Sequence, residues 1–229
     1  MCNRYAQRGS VSDIRQLSLD FGMELVTTST TDNLQALDNI YADQDAPILR
    51  RREDGKLELE MMRWGFPGIP RKSQKTGKPL KPQPITNIRN LKSTWWQNTN
   101  REFIIDARYR ALIPFTSFSE PHDKTKEWYW FYLTGIEVAF FAGFWRPWYG
   151  KRLDTIQGKT KRQDVQQDWE LFAFLTSEPN GVVSPIHGKA MPAILHKPSD
   201  CLRWLSGGVE TLDLQRSLAD EYLSVASRE

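Results

Sequence analysis

The sequence contains few cysteines, few histidines and no long apolar run. Its two cysteines, Cys2 and Cys201, and three histidines in 229 residues do not suggest a disulfide framework or a zinc site, and they fit a reducing compartment. No apolar run approaches the roughly 18 residues that span a membrane, and the polar start MCNRYAQRGS has no apolar signal core. We therefore expect a cytoplasmic protein that uses no metal and contacts no membrane.

The net charge is also small. The 31 Lys and Arg against 28 Asp and Glu give +3, whereas strong nucleic-acid binders tend to have a clearly basic domain or face. Any basic surface must come from local clustering. Residues 68–84 form such a cluster and contain no acid, but five cations: Arg71, Lys72, Lys75, Lys78 and Lys81. This segment is either a solvated flexible loop or an edge that follows a phosphate backbone.

The apolar content is sufficient for a packed core, with 39% hydrophobic and 12% aromatic residues. Residues 47–62 predict two strands around the turn at 53–55, because apolar residues alternate with Glu58 and Glu60. Many short strand patterns occur without a repeat, a clear linker or βαβ alternation. We predict a single α+β domain over residues 1–229 with a β-rich core.

Other segments carry weaker patterns. We expect a helix capped by Ser12 and a second one capped by Ser199. Residues 103–105, 110–113 and 171–176 predict strands. The apolar segments 128–133 and 138–142 predict a hairpin that turns at Gly135. Residues 151–168 are polar and predict a surface insertion.

Cys2 carries an unusual chemical possibility. If Met1 is removed, this residue has both a free α-amine, with an ordinary pKa of about 7.7–8.0, and a thiol that titrates near about 8.5. Such a 1,2-aminothiol condenses with an aldehyde, first as a Schiff base and then as a five-membered thiazolidine ring. A lone cysteine rarely signals catalysis by itself, so this hypothesis needs support from the rest of the chain.

Four segments supply that support. They are MCNRY at 1–5, TNIRN at 86–90, PFTSFSEP at 114–121 and SPIHGKAMPAIL at 184–195. In this order they resemble the SRAP (SOS response-associated peptidase) family, in a bacterial and phage-type branch that reads TNIRN, PFTSFSEP and HxKAMPxIL. The resemblance extends from residue 1 to about residue 205.

The resemblance implies a barrel-like core of short strands with a few peripheral helices. It also implies a monomer that needs no cofactor, lies with the nucleoid in the cytoplasm and binds single-stranded DNA. Family members cross-link covalently to abasic sites, whose deoxyribose opens to an aldehyde. Cys2 would then be the nucleophile, and the thiazolidine would shield the lesion from strand cleavage. An imine at the same site could instead support lyase cleavage.

The resemblance also assigns roles to residues of the other segments. Glu120 would be the acid/base group beside the amine, His187 would exchange protons during ring opening and condensation, and Asn87 would orient the amine or the sugar. Arg4 and Arg89 would bind phosphates that flank the lesion, and a structural ion pair is the less favoured alternative for each.

Two other functions remain open at this stage. The family name and the set of Cys2, Glu120 and His187 allow a peptidase that cleaves peptides or removes its own Met1. A plain single-stranded DNA-binding module would use phosphates and stacking without a covalent step.

Overall fold

The structure is a computed structural model that describes residues 2–154 and 161–227. Met1 and residues 155–160 of the expected insertion lie outside the described residues. The α-helices are α1 Val11–Asp20, α2 Arg101–Ile105 and α3 Pro198–Ser206, and short helical turns of other types lie at Trp95–Thr99, Ala107–Tyr109, Val209–Leu214 and Asp220–Tyr222. The strands are β1 Arg4–Gln7, β2 Leu25–Thr27, β3 Leu37–Tyr41, β4 Asp45–Arg51, β5 Leu57–Trp64, β6 Arg71–Lys72, β7 Pro79–Leu80, β8 Asn87–Ile88, β9 Arg110–Phe115, β10 Ser117–Pro121, β11 Trp128–Leu133, β12 Ala139–Asp154, β13 Gln163–Ser177, β14 Met191–Pro192, β15 Ile194–Leu195 and β16 Leu223–Ser227.

Five strands close into a barrel. The neighbours β13, β12, β9, β4 and β5 pair antiparallel in that order. A parallel pairing of β13 with β5, at Leu171 with Arg63 and Phe172 with Trp64, completes the ring. Because the ring is closed, each of the five strands is hydrogen-bonded to a neighbour on both sides. With three helices outside it, this ring confirms the predicted α+β fold with a β-rich, barrel-like core.

A second, five-stranded antiparallel sheet packs against the barrel. Its order is β16-β11-β10-β1-β3. Alternate residues of the barrel strands belong to two different cores. In β12, Phe140 and Phe144 pack in the core that contains α1 and α3 residues, whereas Phe141 packs in the core that contains Tyr5 and Phe118 of the second sheet. The second core also contains Cys2, so the N-terminal segment lies between the two sheets.

Strand register brings distant segments to one place. Antiparallel pairing of β1 with β10 sets Arg4 opposite Ser119, so the chain just before β1 runs alongside Glu120. Parallel pairing of β8 with β13 sets Asn87 beside Phe174. Residues 178–190 connect the end of β13 to β14, which pairs back onto β13, and His187 lies in this connection. The candidate site residues therefore meet at one end of the barrel.

The prediction of a hairpin between residues 128–133 and 138–142 was wrong. β11 is a central strand with β10 on one edge and β16 on the other, whereas β12 pairs with β9 and β13. One edge of β11 is therefore taken by the preceding strand β10 and the other by β16, about 90 residues later in the chain, which local apolar patterning could not show.

Residues 103–105 belong to helix α2 and are not a strand, because a short apolar run has no decisive period. Both predicted helices form, but their caps differ. Ser10 and not Ser12 caps α1, where the Ser10 amide donates to Asp13 Oδ2 over 2.7 Å, and Lys197 precedes α3. The predicted strands in 47–62, 110–113 and 171–176 are confirmed. The polar residues 151–154 and 163–168 extend β12 and β13 as a paired hairpin.

Candidate active site

Cys2 is completely buried just ahead of β1. Its thiol donates to the main-chain oxygen of Arg4 over 3.4 Å. Burial raises the pKa of the Cys2 thiol well above its ordinary value, and the negative charge of Glu120 raises it further. Since both effects disfavour the thiolate, the thiol is held in its neutral form at pH 7.

Asn87 contacts Cys2 directly. Its Nδ2 donates to the main-chain oxygen of Cys2 over 2.7 Å and to Thr86 Oγ1 over 2.8 Å. The other atom of the amide, Oδ1, is buried and accepts no hydrogen bond from the described residues. Trp64 fixes the same segment, because its Nε1 donates to the main-chain oxygen of Thr86 over 3.1 Å. The Asn87 amide therefore holds the main chain of Cys2 through Nδ2, while its Oδ1 can still accept a hydrogen bond.

Glu120 lies on β10 and is completely buried. Burial raises the pKa of its carboxyl group to about 8, since an ionised carboxylate is costly to remove from water. Its Oε2 lies 3.7 Å from Nε2 of His187. A carboxyl group that titrates close to neutral pH can both give and take a proton under working conditions.

His187 is buried between two acidic side chains. Its Nε2 faces Glu120, and its Nδ1 lies 3.3 Å from Asp123 Oδ1 and 3.3 Å from the main-chain oxygen of Pro121. Burial lowers the pKa of His187, and Asp123 partly opposes that effect. The acceptors around Nδ1 assign the proton of the neutral ring to that nitrogen, so that Nε2 faces Glu120 as an acceptor.

Asp123 is a further residue of the site that the sequence patterns did not predict. This residue connects the β10–β11 turn to the His187 segment, because its Oδ2 accepts from the Gly188 amide over 3.0 Å and its own amide donates to Ile186 over 2.9 Å. The hydrogen bond from Gly188 lowers the pKa of Asp123. A polar turn three residues after Glu120 could have marked Asp123 as a candidate, but its contact with residue 187 depends on the tertiary fold.

Arg4 is held on the second sheet. Its Nε donates to Asn39 Oδ1 over 2.8 Å, and its guanidinium lies 4.8 Å from the ring of Trp130. Arg4 is half-buried beside Trp128 and Tyr41. An aromatic surrounding of this kind holds the guanidinium in one orientation.

Arg89 is exposed and joins two segments of the site. Its guanidinium donates to the main-chain oxygen of Lys189 and to the carboxylate of Glu178. Arg89 therefore forms the structural ion pair that the sequence analysis kept as the alternative to phosphate binding. The structure brings Cys2, Asn87, Glu120 and His187 together, while Arg89 borders them. Within residues 2–154 and 161–227, no cluster of His, Cys, Asp or Glu side chains is arranged to hold a metal ion.

The family model for SOS response associated peptidase (SRAP) matches residues 1–227. Solved structures with the same fold include a Bacteroides thetaiotaomicron protein (18% identity, TM-score 0.69, 100% of this chain and 92% of that one). A Bordetella bronchiseptica protein (17%, 0.68, 100% of both chains) and a phage-related protein from the same organism (17%, 0.63, 100% and 94%) are also similar.

A search of curated proteins found no significant match. The fold and the grouped Cys, Asn, Glu and His side chains define a protein of the SRAP class. The chain belongs to the SRAP family, as the match over residues 1–227 shows. Membership associates it in general terms with the SOS response, with abasic sites in DNA and with peptidase-like or DNA-processing activity.

Proposed function

We propose that the protein, once Met1 is removed, binds single-stranded DNA as a monomer and traps abasic sites through Cys2. The α-amine attacks the open-chain aldehyde, and loss of one water gives an imine. The thiol then adds to the imine carbon while its proton passes to nitrogen, which closes the thiazolidine. The ring no longer contains the hydrolysable C=N bond. Residues 1–229 would act as one domain, in the cytoplasm with the nucleoid.

One observation carries this proposal: two segments distant in sequence, at Asn87 and Glu120, converge on Cys2, and a third brings His187 to Glu120. Asn87 holds the main chain of Cys2, and Glu120 is close enough to raise the thiol pKa. The carboxyl pKa of about 8 is close to the ordinary pKa of an α-amine, about 7.7–8.0. Proton transfer between these groups would therefore be nearly balanced in energy, as acid/base catalysis of imine formation requires.

The remaining groups have complementary roles in the proposal. Neutral His187, with Nε2 facing Glu120, would exchange a proton with the sugar oxygen as the deoxyribose ring opens. The Oδ1 atom of Asn87, which accepts no hydrogen bond from the described residues, would accept one from the amine or from the sugar. Arg4 and Arg89 would hold flanking phosphates. Arg89 would have to release its present partner, Glu178, in order to bind the DNA backbone.

A Cys2-dependent peptidase is the alternative. It would use the thiol as the first nucleophile, and a thiolate is the reactive form in such enzymes. The raised pKa of the Cys2 thiol disfavours that route. In aldehyde capture the amine attacks first, and the thiol adds later to an activated imine. The protonation state of the thiol therefore favours aldehyde capture over peptide cleavage.

The test compares the wild type with Cys2→Ser and Cys201→Ser on a single-stranded oligonucleotide that contains one abasic site. Cys201 is also buried, on α3, and is the matched thiol control. Wild type and Cys201→Ser should give an adduct that survives denaturing electrophoresis, with the mass of protein lacking Met1 plus oligonucleotide minus one water. Cys2→Ser should give none, although its amine could still cleave the strand. A heat-stable adduct with Cys2→Ser would refute the proposal.

A further inference from the structure

Residues 68–83, which we call the basic arm, lie shortly before Asn87 in the chain. The chain on both sides of the arm is clamped, because Phe66 and Ile85 exchange two main-chain hydrogen bonds of 2.9 and 3.0 Å. At the base of the arm its two ends lie so close together that a Cβ added at Gly68 would lie 2.1 Å from the main-chain oxygen of Gln83. Asn87 follows only two residues after Ile85, so the base of the arm is fixed to the site.

The arm has a defined conformation. Strands β6 and β7 pair antiparallel, and the turn between them is closed by bonds from the Ser73 amide to Lys78 and from the Gly77 amide to Ser73, each 2.8 Å long. Gly77 has a positive φ of 67°, a conformation that glycine adopts without strain. At about 3.3 Å per residue, the five residues from Gly68 to the turn give a reach of roughly 17 Å.

The charges of the arm are exposed and lack acidic partners. The arm contains no Asp or Glu, and its five cations are exposed. They form no ion pair with the described residues. Elsewhere many arginines are paired with acids, as Arg50 is with Glu58 and Arg203 with Asp213. The chain has 31 basic and 28 acidic residues, so without the arm its acids would outnumber its bases by two.

The long β12–β13 hairpin faces the arm across a cleft. A cleft of about 270 Å³ separates the two, with Lys81 on the arm side and Lys151 on the hairpin side. Arg152 lines the same cleft but already has an acidic partner, because its Nη1 donates to Asp43 Oδ1 over 2.9 Å. Lys151 is exposed and unpaired among the described residues. An unpaired lysine therefore lies on each side of the cleft, which Asp43 and Asp164 also line.

We infer that the basic arm binds the phosphate backbone of single-stranded DNA beside the lesion. This inference rests on the proposed function for the identity of the polyanion. A strand stacked as in a duplex has about one phosphate per 3.4 Å and an extended single strand has fewer, so a reach of roughly 17 Å covers at most about five phosphates. Unpaired lysines that replace condensed counterions give binding without sequence preference. The arm would thus hold DNA while Cys2 reacts with an aldehyde of any sequence context.

The experiment measures equilibrium binding to an intact single-stranded 20-mer, which requires no chemistry at Cys2. The arm variant carries Lys72→Gln, Lys75→Gln and Lys78→Gln. The control loses three exposed cations on other elements, through Arg15→Gln, Arg101→Gln and Lys197→Gln. Fluorescence anisotropy between 50 and 200 mM salt gives the slope of log K against log salt. Each lost phosphate contact flattens this slope by about 0.7. The slope of the arm variant should therefore be shallower than that of wild type by about 2, and the slope of the control should be unchanged.

The affinity of the arm variant at 50 mM salt should fall at least about tenfold. Its adduct yield on saturating abasic DNA should stay at the wild-type level, since Cys2 and Asn87 are unchanged. Equal slopes for arm variant and control would overturn the inference. So would an arm variant that keeps its DNA affinity but loses binding to phosphatidylserine vesicles, which would identify the arm as a lipid-binding element. If wild type binds the intact strand but forms no adduct, the proposed function fails while the arm is still tested.

Discussion

Asn87 donates a 2.7 Å hydrogen bond to the main-chain oxygen of Cys2 and so ties the start of the chain to strand β8, although 85 residues separate the two in sequence. The Asn87 side chain is only 9% exposed. The carbonyl of Cys2 therefore depends on this amide, because a buried acceptor that loses its donor retains a desolvation cost of about 1–3 kcal/mol.

The first prediction concerns Asn87→Ala. The variant should lose about 1–3 kcal/mol of unfolding free energy, and its rate of adduct formation should fall about 100-fold, because small misplacements of a reacting group can cost that much. Single-turnover kinetics on abasic DNA, read on denaturing gels, measures the rate.

A matched control separates fold from function. Asn100 is completely buried, and its Nδ2 donates to the main-chain oxygen of Trp95 over 3.3 Å, outside the candidate site. Asn100→Ala should also cost stability, yet it should leave the adduct rate within about twofold of wild type. Equal loss of rate in both variants would mean that Asn87 acts only through general stability.

The second prediction concerns Asp123, whose Oδ1 lies 3.3 Å from Nδ1 of His187. The negative charge of Asp123 raises the His187 pKa against the effect of burial. Asp123→Asn removes the charge but keeps an acceptor for the Gly188 amide. The His187 pKa should therefore fall further in this variant, and since Asp123 is 41% exposed, solvent screening should keep that fall modest.

Imidazole NMR signals of the three histidines measure this shift, and His187→Gln assigns the His187 signal. The pH profile of adduct formation should move in the same direction. Asp38→Asn is the control, because Asp38 is an exposed aspartate that pairs with Arg8. If the His187 titration is the same in Asp123→Asn and in Asp38→Asn, Asp123 does not position or tune the histidine.

Sequence patterns were sufficient where the signal was local or carried by a motif. The turn at 53–55 and the alternation after it predicted β4 and β5, because strand period and turn chemistry agree there. The motif blocks named Cys2, Asn87, Glu120 and His187, and the structure places them together. Their roles in chemistry remain proposals, since proximity does not establish a reaction.

Contacts between segments distant in sequence could not be predicted from local patterns. β11 was assigned to the wrong partner because its neighbour β16 lies about 90 residues later, at the C-terminal end of the chain. Asp123 was missed for the same reason, since its contact with His187 spans two segments that meet only in the fold. Likewise, the ion pair of Arg89 with Glu178 could be stated from sequence only as an alternative.

The third prediction concerns the close approach of strands at Gly143 in β12. A Cβ there would lie 2.4 Å from Cδ1 of Ile113 and 2.7 Å from the oxygen of Ala173. Because the main chain of β13 is one of the obstacles, Gly143→Ala should destabilise the protein by about 1–3 kcal/mol. Urea unfolding should show a lower midpoint with an unchanged slope.

Gly188→Ala is the control for this substitution. A Cβ at Gly188 would meet its nearest neighbour, the oxygen of Ser184, at an ordinary 3.6 Å. This variant should therefore unfold within about 0.5 kcal/mol of wild type. Equal midpoints for Gly143→Ala and Gly188→Ala would show that the barrel relaxes around an added methyl group.

The fourth prediction concerns pH and Glu120. Burial raises its folded-state pKa to about 8, above the roughly 4.3 of an unfolded chain. The folded protein therefore holds this proton more tightly, and the resulting stability is complete below pH 4.3. It is lost as the pH rises towards 8, because the folded state must then bury a carboxylate. Glu120→Gln is neutral at every pH and avoids that loss.

The measured quantity is the unfolding free energy of Glu120→Gln minus that of wild type, taken at intervals from pH 5 to pH 9. Groups common to both proteins cancel in this difference, so it should rise by a few kcal/mol across the range. Glu127→Gln changes an exposed carboxylate in the connection between β10 and β11, and its difference should stay flat because solvent screens the group in both states. A flat difference for Glu120→Gln as well would mean that Glu120 is ionised in the folded protein at neutral pH. Its proposed exchange of protons with the Cys2 amine would then lose the matched pKa on which it depends.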